Sequence, residues 1–114
     1  MQELLTKDNV TSEELESLLE ARTKGEADFL LVDVREQMEY DMSHIKGVDM
    51  LKPTSTFQQW AQDFLDAHQN DAVIFTCRTG SRSGQVQHIF QSNGMEKAIN
   101  HYGGIVTYRG EIEQ

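Results

Sequence analysis

The sequence has few of the residues that stabilise small domains by means other than a hydrophobic core, such as cysteines that form disulfides or bind metals. It has one cysteine and one proline among 114 residues, and no apolar run approaches the roughly 20 residues that a membrane-spanning helix needs. One cysteine cannot form an internal disulfide, and the four histidines have no metal-ligand spacing with it. The sequence therefore predicts a fold without disulfides or a structural metal.

Basic residues are scarce as well, with 10 Lys and Arg against 19 Asp and Glu and a formal net charge of -9. Such a field repels a phosphate backbone and an anionic membrane surface, so neither nucleic acid nor a membrane is an expected partner. Residues 1–16 lack the basic start and the apolar centre of a secretory signal. We therefore expect a soluble, cytoplasmic protein.

The length of 114 residues is typical of one domain, which buries roughly 65% of the surface of its unfolded chain. No internal repeat, low-complexity tract or linker interrupts the sequence. We predict a single domain over residues 1–114, built around one core.

Short apolar runs alternate with amphipathic segments along the chain. The runs Phe29–Val34 and Ala72–Thr76 are too short for buried helices and are rich in strand-forming residues, so they predict central strands. A capping box of Thr11 and Glu14 predicts the start of a first helix. Two later segments place apolar side chains at helical spacing, namely Phe57, Trp60, Ala61, Phe64 and Leu65 in one and Val86, Ile89 and Phe90 in the other. This alternation predicts an α/β fold in which helices flank a parallel sheet on both faces.

The only cysteine lies in "IFTCRTGSRSGQ", residues 74–85, between a predicted strand and a predicted helix. In an open α/β sheet, ligands bind beyond the carboxyl ends of the strands, where loops lead into helix N-termini. The helix dipole and unpaired N–H groups there favour the Cys77 thiolate and lower its pKa. Gly80 and the small residues beside it allow an anion-binding nest, to which Arg78 and Arg82 add positive charge. A lone cysteine beside a strand is usually a small buried hydrophobic residue, but this charged loop indicates a reactive thiolate instead.

Three segments resemble, in order, the motifs of the rhodanese family: "LVDVREQMEYDMSHIKGV", "CRTGSRS" and "GMEKAINHYGGIVTY". The resemblance covers nearly the whole chain. It implies a three-layer α/β domain whose central parallel sheet is flanked by helices on both faces. It also implies that Cys77 accepts a sulfane sulfur and carries it as a persulfide, with no metal or organic cofactor.

The same resemblance gives the other loop residues their roles. Backbone N–H groups of the loop cradle the outer sulfur, and Arg78 and Arg82 face an anionic donor. The implied donor is thiosulfate, a persulfide or a polysulfide, and the acceptor is an external thiol, cyanide or a protein. The implied substrate-binding residues are Arg78, Thr79, Gly80, Ser81, Arg82 and Ser83.

Two charged residues end the strand that is predicted beside the Cys77 strand. They are Asp33 and Arg35, which follow the apolar run that starts at Phe29. We expect them to support the Cys77 loop through hydrogen bonds or an ion pair, which is a structural role.

Two other functions compete with sulfur transfer by an enzyme. A phosphatase or arsenate reductase also uses a low-pKa cysteine in an anion-binding loop, but the related phosphatases require an arginine where this chain has Ser83. Arg82 instead closes a shorter loop, which contains no aspartate to act as a general acid. A sulfur carrier or redox-sensing module that serves one partner protein would form the same persulfide, and the sequence does not distinguish it from an enzyme.

Overall fold

The computed structural model describes residues 2–114 and is built around a five-stranded parallel sheet. The strands in these residues are β1 (Asn9–Val10), β2 (Leu30–Asp33), β3 (His44–Ile45), β4 (Met50–Leu51), β5 (Val73–Thr76), β6 (Ala98–His101) and β7 (Ile112–Glu113). The sheet has the order β1-β6-β5-β2-β4, and all of its pairings are parallel. β3 and β7 form a separate antiparallel pair. The predicted central strands are the neighbours β2 and β5, and the α/β prediction is confirmed.

Within residues 2–114, four α-helices connect the strands. They are α1 (Ser12–Thr23), α2 (Gln37–Met42), α3 (Phe57–His68) and α4 (Ser81–Ser92). The predicted capping box opens α1, because Thr11 Oγ1 accepts from Glu14 N at 3.2 Å and Glu14 Oε1 accepts from Thr11 N at 2.9 Å. Short 3₁₀ helices cover Gln2–Thr6, Thr54–Thr56 and Ile105–Thr107. Within residues 2–114, none of the helices combines the length and the apolar character needed to cross a membrane.

Buried hydrophobic side chains form one cluster on each face of the sheet. Successive strand residues point to opposite faces, so Leu31 and Ile74 join one cluster while Val32 and Phe75 join the other. The helical members are Leu15 and Leu18 in the first cluster and Trp60, Phe64, Val86 and Phe90 in the second. The sheet therefore divides the apolar interior into two layers, where the sequence analysis expected one core.

The predicted helix is α4, but Ile89, which shares helical spacing with Val86 and Phe90, does not lie on its buried face. Ile89 is 43% exposed, whereas Val86 and Phe90 are buried. Gln87 lies beside them on the inner face, because its Nε2 donates to the carbonyl oxygen of Ala98 on β6 at 3.2 Å. Val86 and Phe90 pack into the core cluster on this side of the helix, and the Gln87 hydrogen bond adds a polar contact to the sheet there.

The carboxyl ends of β2, β5 and β6 lie at one edge of the sheet. Asp33 and Thr76 are in register at the ends of β2 and β5, and His101 ends the neighbouring β6. Cys77 directly follows Thr76. Its thiol is therefore placed at the edge where loops lead into helices, the usual ligand-binding edge of such a sheet.

The segment after β6 packs against the Cys77 loop. Ile105 N donates to Cys77 O at 2.9 Å, and Val106 N donates to Arg78 O at 3.1 Å. Gly104, with a φ of 67°, approaches so closely that a Cβ atom there would overlap the carbonyl group of Arg78. Gly104 combines this positive φ with a ψ of -170°, a backbone region that is essentially restricted to glycine, so only glycine satisfies both the conformation and the close approach.

We expect Gly104→Ala to destabilise the protein and to displace the Cys77 loop, because the added methyl group collides with backbone that cannot move aside. Gly25→Ala is the matched control, since Gly25 has a φ of 77° but no atom within 4 Å of an added Cβ. Left-handed strain costs about 1–2 kcal/mol. Urea unfolding should show a loss of that size for the control and a larger one for Gly104→Ala. Equal losses would contradict the close packing of this segment on the loop.

Candidate active site

The side chain of Cys77 is enclosed by the start of α4 and is only 1% exposed. Its Sγ accepts hydrogen bonds from Gly80 N at 3.1 Å, from Ser83 N at 3.4 Å and from Ser83 Oγ at 3.3 Å. N–H groups in the first turn of a helix lack carbonyl partners within the helix and readily bind an anion. The loop therefore forms an anion site centred on Sγ.

Gly80 gives this loop its shape. Its φ of 93° is left-handed, and its carbonyl oxygen accepts from Gly84 N at 3.0 Å to begin α4. A Cβ atom at this position would lie 3.1 Å from Gly103 N and 3.2 Å from His101 O. A side chain here would therefore strain the turn and press on the segment that follows β6.

Two opposing influences set the pKa of Cys77. Burial is the larger single influence, and it raises the pKa. Hydrogen bonds from the Ser83 hydroxyl and from the N–H groups of Ser83, Thr79 and Gly80 lower it. Together these bonds outweigh burial, so the pKa lies below the ordinary value of a thiol. The site therefore favours the thiolate, which is the nucleophilic form.

Ser83 is shared between Cys77 and Asn100. Ser83 Oγ lies 2.7 Å from Asn100 Oδ1, and Asn100 Nδ2 donates to Asn9 Oδ1 at 3.2 Å. A hydroxyl group has one proton, so Ser83 donates either to Sγ or to Asn100 at any moment. No local pattern in the sequence marks Asn100 as part of the site, because its contact with Ser83 spans 17 residues.

His101 is fully buried and joins three elements at the same edge of the sheet. Its Nδ1 lies 2.7 Å from Thr76 Oγ1, and its Nε2 lies 2.7 Å from Ser12 Oγ. Burial lowers the pKa of His101 to about 4, so the ring is neutral at neutral pH. Sequence analysis gave this histidine no role, and the structure shows that it supports the ends of β5 and β6.

Arg82 is bound by a carboxylate from α2. Its Nη1 and Nη2 donate to the two carboxylate oxygens of Glu39 at 2.7 and 2.9 Å. The hydrogen bonds from Arg82 lower the pKa of Glu39 to about 2, although partial burial opposes them. Sequence analysis missed this partner, because Glu39 lies 43 residues from Arg82 and no spacing rule connects the two.

Asp33 and Arg35 bind each other and α2 rather than the Cys77 loop itself. Arg35 Nη2 donates to Asp33 Oδ2 at 2.9 Å and to Ser43 O at 2.7 Å, while Arg35 Nη1 donates to Glu39 O at 3.4 Å. These contacts fix the position of α2, which in turn holds Glu39 against Arg82. The support that these residues give to the loop is therefore indirect.

The other loop side chains are exposed to solvent. Arg78, Thr79 and Ser81 make no side-chain hydrogen bond or ion pair within residues 2–114. The same residues contain no group of three or more His, Cys, Asp or Glu side chains that could hold a metal ion. Of the two loop arginines, only Arg82 has an ion-pair partner among the described residues 2–114.

Residues 11–111 match the family model of the rhodanese-like domain. The chain belongs to this family. The resemblance that the three sequence motifs carry is therefore confirmed, and the segments around Asp33, Cys77 and Gly104 are parts of one rhodanese-like domain.

Relatives and a solved structure agree with this assignment. The chain is 27% identical over 104 residues to the probable adenylyltransferase/sulfurtransferase MoeZ of Mycobacterium tuberculosis, covering 91% of this chain and 25% of the relative. It is 30% identical over 83 residues to the putative sulfur carrier protein YrkF of Bacillus subtilis, covering 73% and 43%. The chain thus spans less than half the length of these curated relatives. The crystal structure of a rhodanese-like domain protein from Staphylococcus aureus is similar, with a TM-score of 0.73 and 27% identity over 94% of this chain and 97% of that one.

We expect Ser83→Ala to raise the pKa of Cys77, because it removes the hydroxyl that donates to Sγ. A hydrogen bond to a charged group contributes about 1.5–3 kcal/mol, so alkylation by iodoacetamide at neutral pH should slow about tenfold or more. The control is Ser92→Ala, the same substitution at an exposed position at the other end of α4. A pH profile of alkylation that is identical for the two variants would show that the hydroxyl does not stabilise the thiolate.

Proposed function

We propose that this rhodanese-like domain is a sulfurtransferase that moves a sulfane sulfur through a persulfide on Cys77. The observation that carries the proposal is the convergence of hydrogen-bond donors on Cys77 Sγ at the start of α4. Such donors favour a thiolate and, after loading, the negatively charged outer sulfur of a persulfide. The names of two relatives, a probable sulfurtransferase and a putative sulfur carrier, support the same chemistry.

In the first half-reaction, the Cys77 thiolate attacks the outer sulfur of the donor. A bond forms between Cys77 Sγ and that sulfur, while the S–S bond of the donor breaks and its electron pair goes to the leaving group. Sulfite leaves when the donor is thiosulfate, and a thiolate leaves when the donor is a persulfide. No external oxidant or reductant is consumed, because the transferred sulfur keeps its oxidation state.

The loop assists this step because negative charge develops on the transferred sulfur and on the leaving group. Backbone N–H groups that are already held in position cost no reorganisation when that charge appears. We assign this role to the N–H groups of the loop. We assign recognition of an anionic donor to Arg78, whose charge is unpaired in the described part of the chain.

The second half-reaction requires an acceptor from outside the chain. Cys77 is the only thiol in the sequence, so no internal cysteine can attack the persulfide and leave a disulfide. An external thiol, cyanide or a thiolate of a partner protein attacks the outer sulfur and restores the Cys77 thiolate.

A sulfur carrier that serves one partner protein is the second candidate. The single thiol favours it, because a persulfide without an internal acceptor persists until the partner arrives. Turnover distinguishes the two candidates. An enzyme cycles repeatedly with thiosulfate and a small acceptor, whereas a dedicated carrier loads one sulfur and releases it slowly to small molecules.

We expect Cys77→Ser to abolish sulfur loading without unfolding the domain, because the side chain keeps its size and loses only the nucleophilic sulfur. Intact mass spectrometry after incubation with thiosulfate or a persulfide should show one added sulfur atom in the wild-type protein and none in the variant. Cyanide should then remove the added sulfur, and circular dichroism should show the same fold for both proteins. Loading that survives in a folded variant would contradict the role of Cys77.

A further inference from the structure

The two loop arginines differ in what their charges meet. Arg82 and Glu39 form a pair with two hydrogen bonds, and 34% and 32% of their side chains are exposed. Arg78 is exposed and has no ion-pair partner within residues 2–114. The loop sequence carries two positive charges, but a carboxylate from another element already balances one of them.

Glu39 is held in place from several directions. Its Oε1 also accepts from Glu36 N at 3.0 Å, which closes the first turn of α2. Its carbonyl oxygen accepts from Arg35, which is itself bound to Asp33 and Ser43. Because of these contacts, the Glu39 carboxylate is less free to move than an ordinary surface carboxylate. It therefore stays beside Arg82 and neutralises its charge when an anion binds.

Arg82 lies next to the residues that contact the reacting sulfur, because it directly precedes Ser83, whose N and Oγ donate to Cys77 Sγ at 3.4 and 3.3 Å. The hydrogen bonds to Glu39 are the largest influence on the pKa of Arg82 and raise it, burial opposes them, and the charges of Glu39 and Cys77 raise it further. Glu39 is ionised throughout the neutral range. The charge of Arg82 is therefore already balanced by Glu39, and Glu36 adds a further carboxylate that acts on it. The sequence alone indicates two free arginines.

Donors differ in how much charge they bring to Sγ. Thiosulfate is a dianion, so its attack by the Cys77 thiolate gathers three negative charges in the site. A persulfide of an uncharged thiol brings at most one negative charge, and its attack gathers at most two. Fixed positive charge near Sγ therefore benefits thiosulfate more than it benefits the organic persulfide.

We propose that Glu39 is a specificity-determining residue, which cancels the charge of Arg82 and thereby favours organic persulfides of low charge over dianionic thiosulfate. This inference rests on the proposed sulfurtransferase function. Removing the negative charge of Glu39 should improve the use of thiosulfate, whereas removing the positive charge of Arg82 should impair it. A purely structural role for the pair predicts that both changes impair both donors.

The test compares Glu39→Gln with Asp41→Asn. Glutamine keeps an oxygen that accepts from Glu36 N but has no charge, so the cap of α2 is preserved. Asp41 is an exposed carboxylate on the same helix whose partner is Gln37, which makes Asp41→Asn a control for the same change in net charge. The readout is kcat/KM for thiosulfate divided by kcat/KM for a persulfide of an uncharged alkyl thiol, because this ratio cancels a general loss of loop geometry.

We expect Glu39→Gln to raise this ratio about tenfold at low ionic strength, with a smaller effect at physiological salt, where exposed charges are screened. Asp41→Asn should leave the ratio unchanged. Arg82→Gln should lower the ratio by a similar factor. If Glu39→Gln does not fold, the ratio measured for Arg82→Gln tests the proposal instead.

Three results would overturn the inference. An unchanged ratio in Glu39→Gln, or an equal rise in Asp41→Asn, would show that the carboxylate of Glu39 does not select donors. If Glu39→Gln and Arg82→Gln both lower kcat/KM by the same factor for the two donors, the pair has a structural role. In that case the proposed function still stands, because wild-type Cys77 accepts sulfur. If neither donor loads sulfur onto wild-type Cys77, the proposed function fails and the inference fails with it.

Discussion

The hydrogen bonds to Cys77 Sγ are the interaction on which the site depends, because burial alone would raise the pKa of this thiol and disfavour the thiolate. Burial is the larger single influence on the pKa of Cys77, and the donors of Ser83, Thr79 and Gly80 reverse it only by acting together. The left-handed turn at Gly80 directs them to one point, and the segment around Gly104 holds that turn from the other side. The sheet contributes by ending β5 directly before the cysteine.

In the mechanism proposed above, activation of the sulfur and selection of the donor are assigned to different parts of the fold. The loop between β5 and α4 supplies the groups that contact Sγ. α2, which follows a different strand, supplies the carboxylate that balances Arg82, and Arg35 fixes that helix. This separation implies that substitutions on α2 can alter which donor is used without removing the hydrogen bonds on which thiolate reactivity depends.

The features that follow from local sequence were predictable, and those that depend on tertiary placement were not. The apolar runs that contain β2 and β5, the capping box of α1 and the position of Cys77 between strand and helix all follow from nearby residues. The contact between Glu39 and Arg82 spans 43 residues, and that between Ser83 and Asn100 spans 17, so neither is encoded in a local pattern. The two-residue strands β3 and β7 are too short for a periodic signal. The exposure of Ile89 depends on how Val86 and Phe90 pack into the core cluster, which helical spacing alone does not determine.

The measurement that tests this account most directly is a crystal structure of the protein after its cysteine has been loaded with one sulfur under anaerobic conditions. The account predicts continuous density for an outer sulfur on Cys77, within hydrogen-bond distance of the N–H groups of the loop and with Gly80 still in its left-handed turn. A loaded sulfur that points to solvent and contacts none of these N–H groups would contradict the claim that the loop is built to bind it. So would an added sulfur on any residue other than Cys77.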